Sequence, residues 1–169
     1  MQQDRIPEPS GPLAHRQLKV ACLLVGEQYY ALDIMCIKEI IRSLPLVRVP
    51  KTPANIDGVI SLRKAVIPVM DLRRRFGLAE AQNSQQRRIL ICAIDGRIVG
   101  LLVDSVTEVV SCEVGDVRPT PYYLSTADAE FFPGVCRSGD RLMMLLDLRK
   151  LLADTRQLDL RSYPAVTET

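Results

Sequence analysis

Short apolar segments alternate with turn-forming residues along most of the chain. Lys19 to Val25 and Ile89 to Ile94 are nearly continuous apolar runs, and runs of this length bounded by turns predict strands buried on both faces. Turn signals separate such segments at Gly26-Glu27, Asp57-Gly58, Asp95-Gly96 and Ser138-Gly139-Asp140. The pattern predicts many short strands joined by tight turns. Helical signals are few. Ile34 to Arg42 fits a short helix or an irregular strand, whereas Asp71 to Phe76 and Asp147 to Leu152 each predict one helical turn. Asp71 and Asp147 stand where an N-cap carboxylate would accept backbone N–H groups, so a structural role is expected of both. Residues 1–17 hold Pro7, Pro9, Gly11 and Pro12 without periodicity and are expected to form a flexible arm; residues 154–169 are expected to be a loose tail.

The apolar pattern repeats. With Lys19 laid over Arg88, Val20 meets Ile89, Val25 meets Ile94, Leu32 meets Leu101 and Ile37 meets Val106. Glu39 meets Glu108 in the same alignment. Further along, Gly58-Val59 falls on Gly134-Val135 and Asp71-Leu72-Arg73 on Asp147-Leu148-Arg149, so the second copy carries extra residues, placed between Ser111 and Pro133. One copy has too few strands to bury a core alone. The expectation is a mainly β fold of two tandem small barrels with short helical segments, one over about residues 18–85 and the other over about 86–153.

Composition narrows the function. Basic and acidic residues number 22 and 20, a net charge of +2, which argues against a dedicated nucleic-acid binder. No apolar run is long enough to span a membrane, and the N-terminal stretch lacks a secretory apolar region, so a cytoplasmic protein is expected. The single histidine, His15, falls in the expected arm, leaving no obvious acid–base catalyst. The five cysteines form no C-x-x-C pair, and Cys22 and Cys92 fall in the expected buried strands, where packing is role enough. Neither an enzyme nor a metal or cofactor site is expected.

The segments I-K-E-I-I (residues 37–41), G-V-I-S-L-R-K-A-V-I-P-V-M-D-L-R-R-R-F (58–76) and P-G-V-C-R-S-G-D-R-L-M-M-L-L-D-L-R-K-L-L (133–152) resemble the CheW-like chemotaxis scaffold family. The most specific element is Leu62, Arg63, Ile67, Pro68, Asp71, Leu72 and Arg73 at the family's spacing. The resemblance implies a pair of SH3-like five-stranded barrels over residues 18–153 and no catalysis. It implies coupling between the cytoplasmic tip of a methyl-accepting chemoreceptor and the regulatory domain of a CheA-type histidine kinase, in arrays at the inner membrane. Where the family usually has N-L-R-G, this chain has Ser61-Leu62-Arg63-Lys64. That departure leaves room for a scaffold of an alternative chemosensory system, with pili or cyclic-dinucleotide output.

Glu39 and Arg63 are the leading candidate pair. A carboxylate and a guanidinium can lock two segments by bidentate bonds, and the resemblance associates the matching residues with receptor and kinase coupling. The plainer reading is an exposed ion pair of little net stability. Ile37, Ile40, Val59 and Val66 are candidates to line an apolar groove between the barrels for a receptor helical hairpin, although core packing is the better account of any single one of them. Lys64 completes the expected receptor or kinase interface. Arg73-Arg74-Arg75 is the one basic run, and it leaves a remoter reading as an SH3-like nucleic-acid binder; a solvated face with Arg73 turned inward is the simpler account.

Overall fold

The computed structural model describes residues 16–81, 85–120 and 129–153. His15 with nearly all of the expected arm, and the tail from residue 154, lie outside the described residues; Gln17 already opens the first strand. The chain forms β1 (Gln17–Val25), β2 (Gln28–Asp33), β3 (Ile37–Arg42), β4 (Gly58–Leu62), β5 (Ala65–Asp71), α1 (Leu72–Arg75), β6 (Arg88–Ile94), β7 (Arg97–Val103), β8 (Ser105–Glu113), β9 (Arg118–Pro119), β10 (Gly134–Ser138), β11 (Arg141–Leu145) and α2 (Leu148–Leu151). The ambiguous segment from Ile34 divides in two: a 3-10 turn over Ile34–Cys36, capped by the Asp33 carboxylate on the Met35 N–H at 2.9 Å, and then β3.

Element by element, β1–β5 and α1 correspond to β6, β7, β8, β10, β11 and α2, the order the sequence repeat predicts. Strand partners do not follow the two halves, and this corrects the expected division at residue 85. One sheet runs β8-β1-β2-β11-β10-β9 and the other β3-β6-β7-β5-β4. Each SH3-like barrel thus takes its first two strands from one half and its last three from the other. Parallel pairing of β2 with β11, and of β7 with β5, joins the halves. The physical reason is that β1–β2 and β6–β7 carry the same apolar pattern, so either hairpin can complete either barrel. The first sheet also gains a sixth, two-residue strand, β9, from the extra residues of the second copy.

Alternation along the strands builds three cores. On β1, Val20 and Cys22 face one barrel's interior with Ala31, Cys112, Cys136 and Met143. Ala21, Leu23 and Val25 face the other way, into the large core between the barrels. On β6, Ile89 and Ile91 enter the second barrel's interior, while Leu90 and Cys92 enter the shared core. Cys22 and Cys92 are fully buried, and burial pushes the Cys92 thiol up to about 12. The repeated Gly-Val has a steric origin. A Cβ on Gly58 would lie 2.9 Å from the Val47 carbonyl oxygen, and one on Gly134 would lie 2.9 Å from that of Arg118. In both barrels a neighbouring backbone crosses at that point, bridging Val47 to Val59 and pairing β9 with β10.

Candidate functional site

β3 and β4 are the two edges of the five-stranded sheet. The β4–β5 turn brings Arg63 back over β3, where Nη1 donates to Glu39 Oε2 at 2.7 Å and Nη2 to Oε1 at 2.6 Å. This bidentate clasp joins the sheet's edges. The guanidinium bonds hold the Glu39 carboxyl below the usual glutamate range. The Arg63 side chain is 73% exposed even so.

The turn that presents Arg63 is unusual. Leu62 and Ala65 pair across a two-residue loop in which Arg63 (φ +49°) and Lys64 (φ +66°) are both left-handed. Such loops normally hold Asn-Gly or Gly-Gly, because a Cβ meets the following carbonyl; for Lys64 this costs about 1–2 kcal/mol. Lys64 therefore keeps the geometry that a glycine would adopt freely.

Around the clasp the other candidate residues separate. Ile40, next to Glu39, is 42% exposed on the outer face of β3, opposite Leu90 of β6. Ile37 is half-buried against the shared core, and Val66 is half-buried on β5. Val59 is a correction. It is buried, and its backbone exchanges bonds of 2.8 and 2.9 Å with Val47, so it lines no exposed groove.

Asp71 and Asp147 sit far from the clasp in the fold's framework. Asp71 Oδ1 accepts the Arg73 N–H at 2.9 Å, and Asp147 Oδ1 accepts the Lys150 N–H at 3.1 Å. The arginine that follows each aspartate grips a turn or its neighbour. Arg149 makes a bidentate pair with Asp95 in the β6–β7 turn; Arg73 holds Asp104, whose Oδ2 also accepts the Gly26 N–H of the β1–β2 turn. Arg73 belongs to a half-buried network that sequence reasoning missed. Arg87 bonds Asp71 at 2.9 Å, Arg74 pairs with Asp57 at 2.6 Å, and Asp57 Oδ2 accepts the Asp71 N–H. Its members are scattered along the chain, and no spacing rule would gather them.

A second clasp was half visible in the alignment of Glu39 with Glu108. On the six-stranded sheet, Arg141 Nη1 donates to Glu108 Oε1 at 2.9 Å and more weakly to Thr107 Oγ1 at 3.4 Å. Its guanidinium lies 4.1 Å from the centre of the Tyr29 ring, a cation–π contact with no counterpart at Arg63. Among the described residues no cluster of three or more His, Cys, Asp or Glu is arranged to hold a metal ion. No helix there is long and apolar enough to cross a membrane.

The family described as CheW-like domain matches residues 19–156. The chain belongs to the CheW-like family. It is 35% identical over 124 residues to the chemotaxis protein CheW of Rhizobium meliloti, covering 73% of this chain and 80% of that one. A probable chemotaxis protein CheW of Rhizobium etli is 32% identical over 131 residues, 78% of this chain and 84% of its own. The crystal structure of the scaffolding protein TtCheW from Thermoanaerobacter tengcongensis superposes with a TM-score of 0.71 at 33% identity, covering 79% of this chain and 90% of that one. By sequence and fold this is a CheW-type chemotaxis scaffold, and the Glu39–Arg63 clasp lies within the matched region.

Proposed function

We propose that this chain acts without catalysis, in the cytoplasm, as an adaptor between the cytoplasmic tip of a chemoreceptor and the regulatory domain of a CheA-type histidine kinase. The observation that carries the reading is the exposed clasp. An arginine held on a strained turn, locked to a glutamate beside an exposed isoleucine, is an ordered surface whose cost the fold's own packing does not explain. Such a surface suits docking. By binding one arrangement of the kinase better than another, a scaffold shifts the kinase's equilibrium without touching its chemistry.

Reconstitution tests this. Receptor cytoplasmic fragment, full-length kinase and this chain are combined, and receptor-dependent autophosphorylation is followed. The wild-type chain is expected to raise it, whereas Glu39→Ala and Arg63→Ala leave the thermal midpoint near its starting value and abolish the increase. Normal activation by both variants would sink the assignment of the clasp. Failure of the wild-type chain to bind either partner would sink the coupling role itself.

A further inference from the structure

Three of the five cysteines lie together inside the six-stranded barrel, and the coupling role employs none of them. Cys22 is on β1, Cys112 near the end of β8 and Cys136 in the middle of β10; all three are buried. β8 forms one edge of the six-stranded sheet, and β10 is second from the other edge. The barrel closes where β8 packs against β10, and among the described residues these two strands share no backbone ladder. Side chains hold this part of the seam. Cys112 and Cys136 meet there, the Cys136 thiol donating a hydrogen bond to the Cys112 sulfur. Cys22 is engaged differently, since its sulfur accepts from Arg141 Nη1 at 3.8 Å.

We infer that Cys112 and Cys136 are a modification site, which a hydroperoxide converts to a disulfide that seals the barrel where its sheet is not hydrogen-bonded. With hydrogen peroxide, one ionised thiol attacks an oxygen; the S–O bond forms, the O–O bond breaks, and hydroxide leaves to take up the thiol's proton. The second thiol then attacks the sulfenic sulfur, forming the S–S bond as the S–O bond breaks and a second water departs with its proton. The sulfurs lose two electrons and the peroxide gains them. Burial raises both thiols, Cys136 to about 12, so near neutral pH they are mostly protonated and react slowly. Access lies on the Cys136 side, where a cavity of about 510 Å³ is lined by Cys136 together with Arg118 and Arg137. In the reducing compartment proposed above, such a bond is transient. While it lasts, it closes residues 113–135, where the second copy carries its extra residues, into a covalent loop. Closing a loop restricts the unfolded chain and so stabilises the folded one. Nothing in this chemistry depends on the coupling role.

The full chain is incubated with millimolar hydrogen peroxide, quenched with catalase, unfolded and alkylated, and its peptides are mapped without reduction. The expected product is lighter than the reduced chain by two hydrogens and carries one bond, between the peptides of Cys112 and Cys136. Its thermal midpoint should stand about 5–10 °C above that of the reduced chain and fall back with dithiothreitol. Each variant is compared with itself before and after peroxide, so that a fold weakened by the substitution does not disturb the reading. Cys112→Ser and Cys136→Ser should show no rise, whereas Cys22→Ala should keep it. Recovery of both thiols after peroxide, sulfinic acid at either one, a bond from Cys22 to either one, or loss of the rise in Cys22→Ala overturns the assignment of the pair. A Cys112–Cys136 bond that leaves the midpoint unchanged or lowers it overturns the sealing of the seam.

Discussion

Arg141 lies over the ring of Tyr29 while it holds Glu108, whereas Arg63 reaches Glu39 from a strained turn with both oxygens of one carboxylate as its partners. The two arginines close equivalent seams of two barrels with one architecture. Arg141 is 31% exposed, anchored by an aromatic face, a hydroxyl and a carboxylate; Arg63 is 73% exposed. A clasp meant for stability alone would copy the first arrangement. The six-stranded barrel's clasp is the better anchored and the five-stranded barrel's the better displayed, a division of labour that fits the function proposed for the Glu39–Arg63 pair.

The strongest challenge to treating the barrels as equivalent is steric. Gly134→Ala would set a Cβ 2.6 Å from Val117 Cγ1 and 2.9 Å from the Arg118 carbonyl; Gly58→Ala meets Leu46 Cβ and the Val47 carbonyl at 2.9 Å each. Both substitutions are expected to cost about 1–3 kcal/mol in urea unfolding. If only one does, the backbone crossings are not equivalent. The clasps should then part company. Arg141→Ala is expected to lower the thermal midpoint by a few degrees, through loss of the ring contact as well as the charge pair, while Arg63→Ala changes it by roughly a degree or less. Equal shifts would erase the proposed division of labour. Lys64→Gly releases left-handed strain and should gain about 1 kcal/mol in urea unfolding, with no such gain available at the β10–β11 turn, where Gly139 already takes positive φ.

The smallest effect is one of pH. Because Glu39 is held below its ordinary range, the clasp contributes fully above the unfolded glutamate value and is lost as pH falls through the lowered one. An NMR titration of the Glu39 carboxyl should show the low value in the wild type and a return to the ordinary range in Arg63→Ala. An unchanged value in that variant would mean that the clasp does not form in solution.

Much of this fold could be read from the chain because it is local. The two-sided burial of β1 and β6, the single turns after Asp71 and Asp147, and the repeat itself depend on apolar spacing and on residues a few positions apart. Strand partnership was not legible, and the repeat is the reason. It specifies that a hairpin such as β1–β2 must meet three strands such as β3–β5, but not from which copy those come. Val59 misled for a related reason: apolarity suits a buried core position and an exposed groove alike, and only the fold shows that Val59 is buried. Glu39 and Arg63 were paired through family resemblance, since their separation in the chain implies nothing. Arg73 was marked by the resemblance and read as turned inward, but its partner Asp104 and the neighbouring Arg87 were not, and their network emerged only in three dimensions.

The exchange of strands between halves bears on how the molecule comes into being. A ribosome that has released β1 through β5 has made only pieces of two barrels, each waiting for strands still to be synthesised. The five-stranded barrel can close after β7, but the six-stranded one must wait for β11. Closure depends on contacts between distant parts of the chain, which slows folding. Cutting the chain between the repeats should therefore yield two fragments that fold only on meeting, and that would be scored by mixing them and following the return of cooperative unfolding. The two barrels therefore mature in order: the one that carries Arg63 can be complete once β7 has been made, while the other becomes whole only with β11.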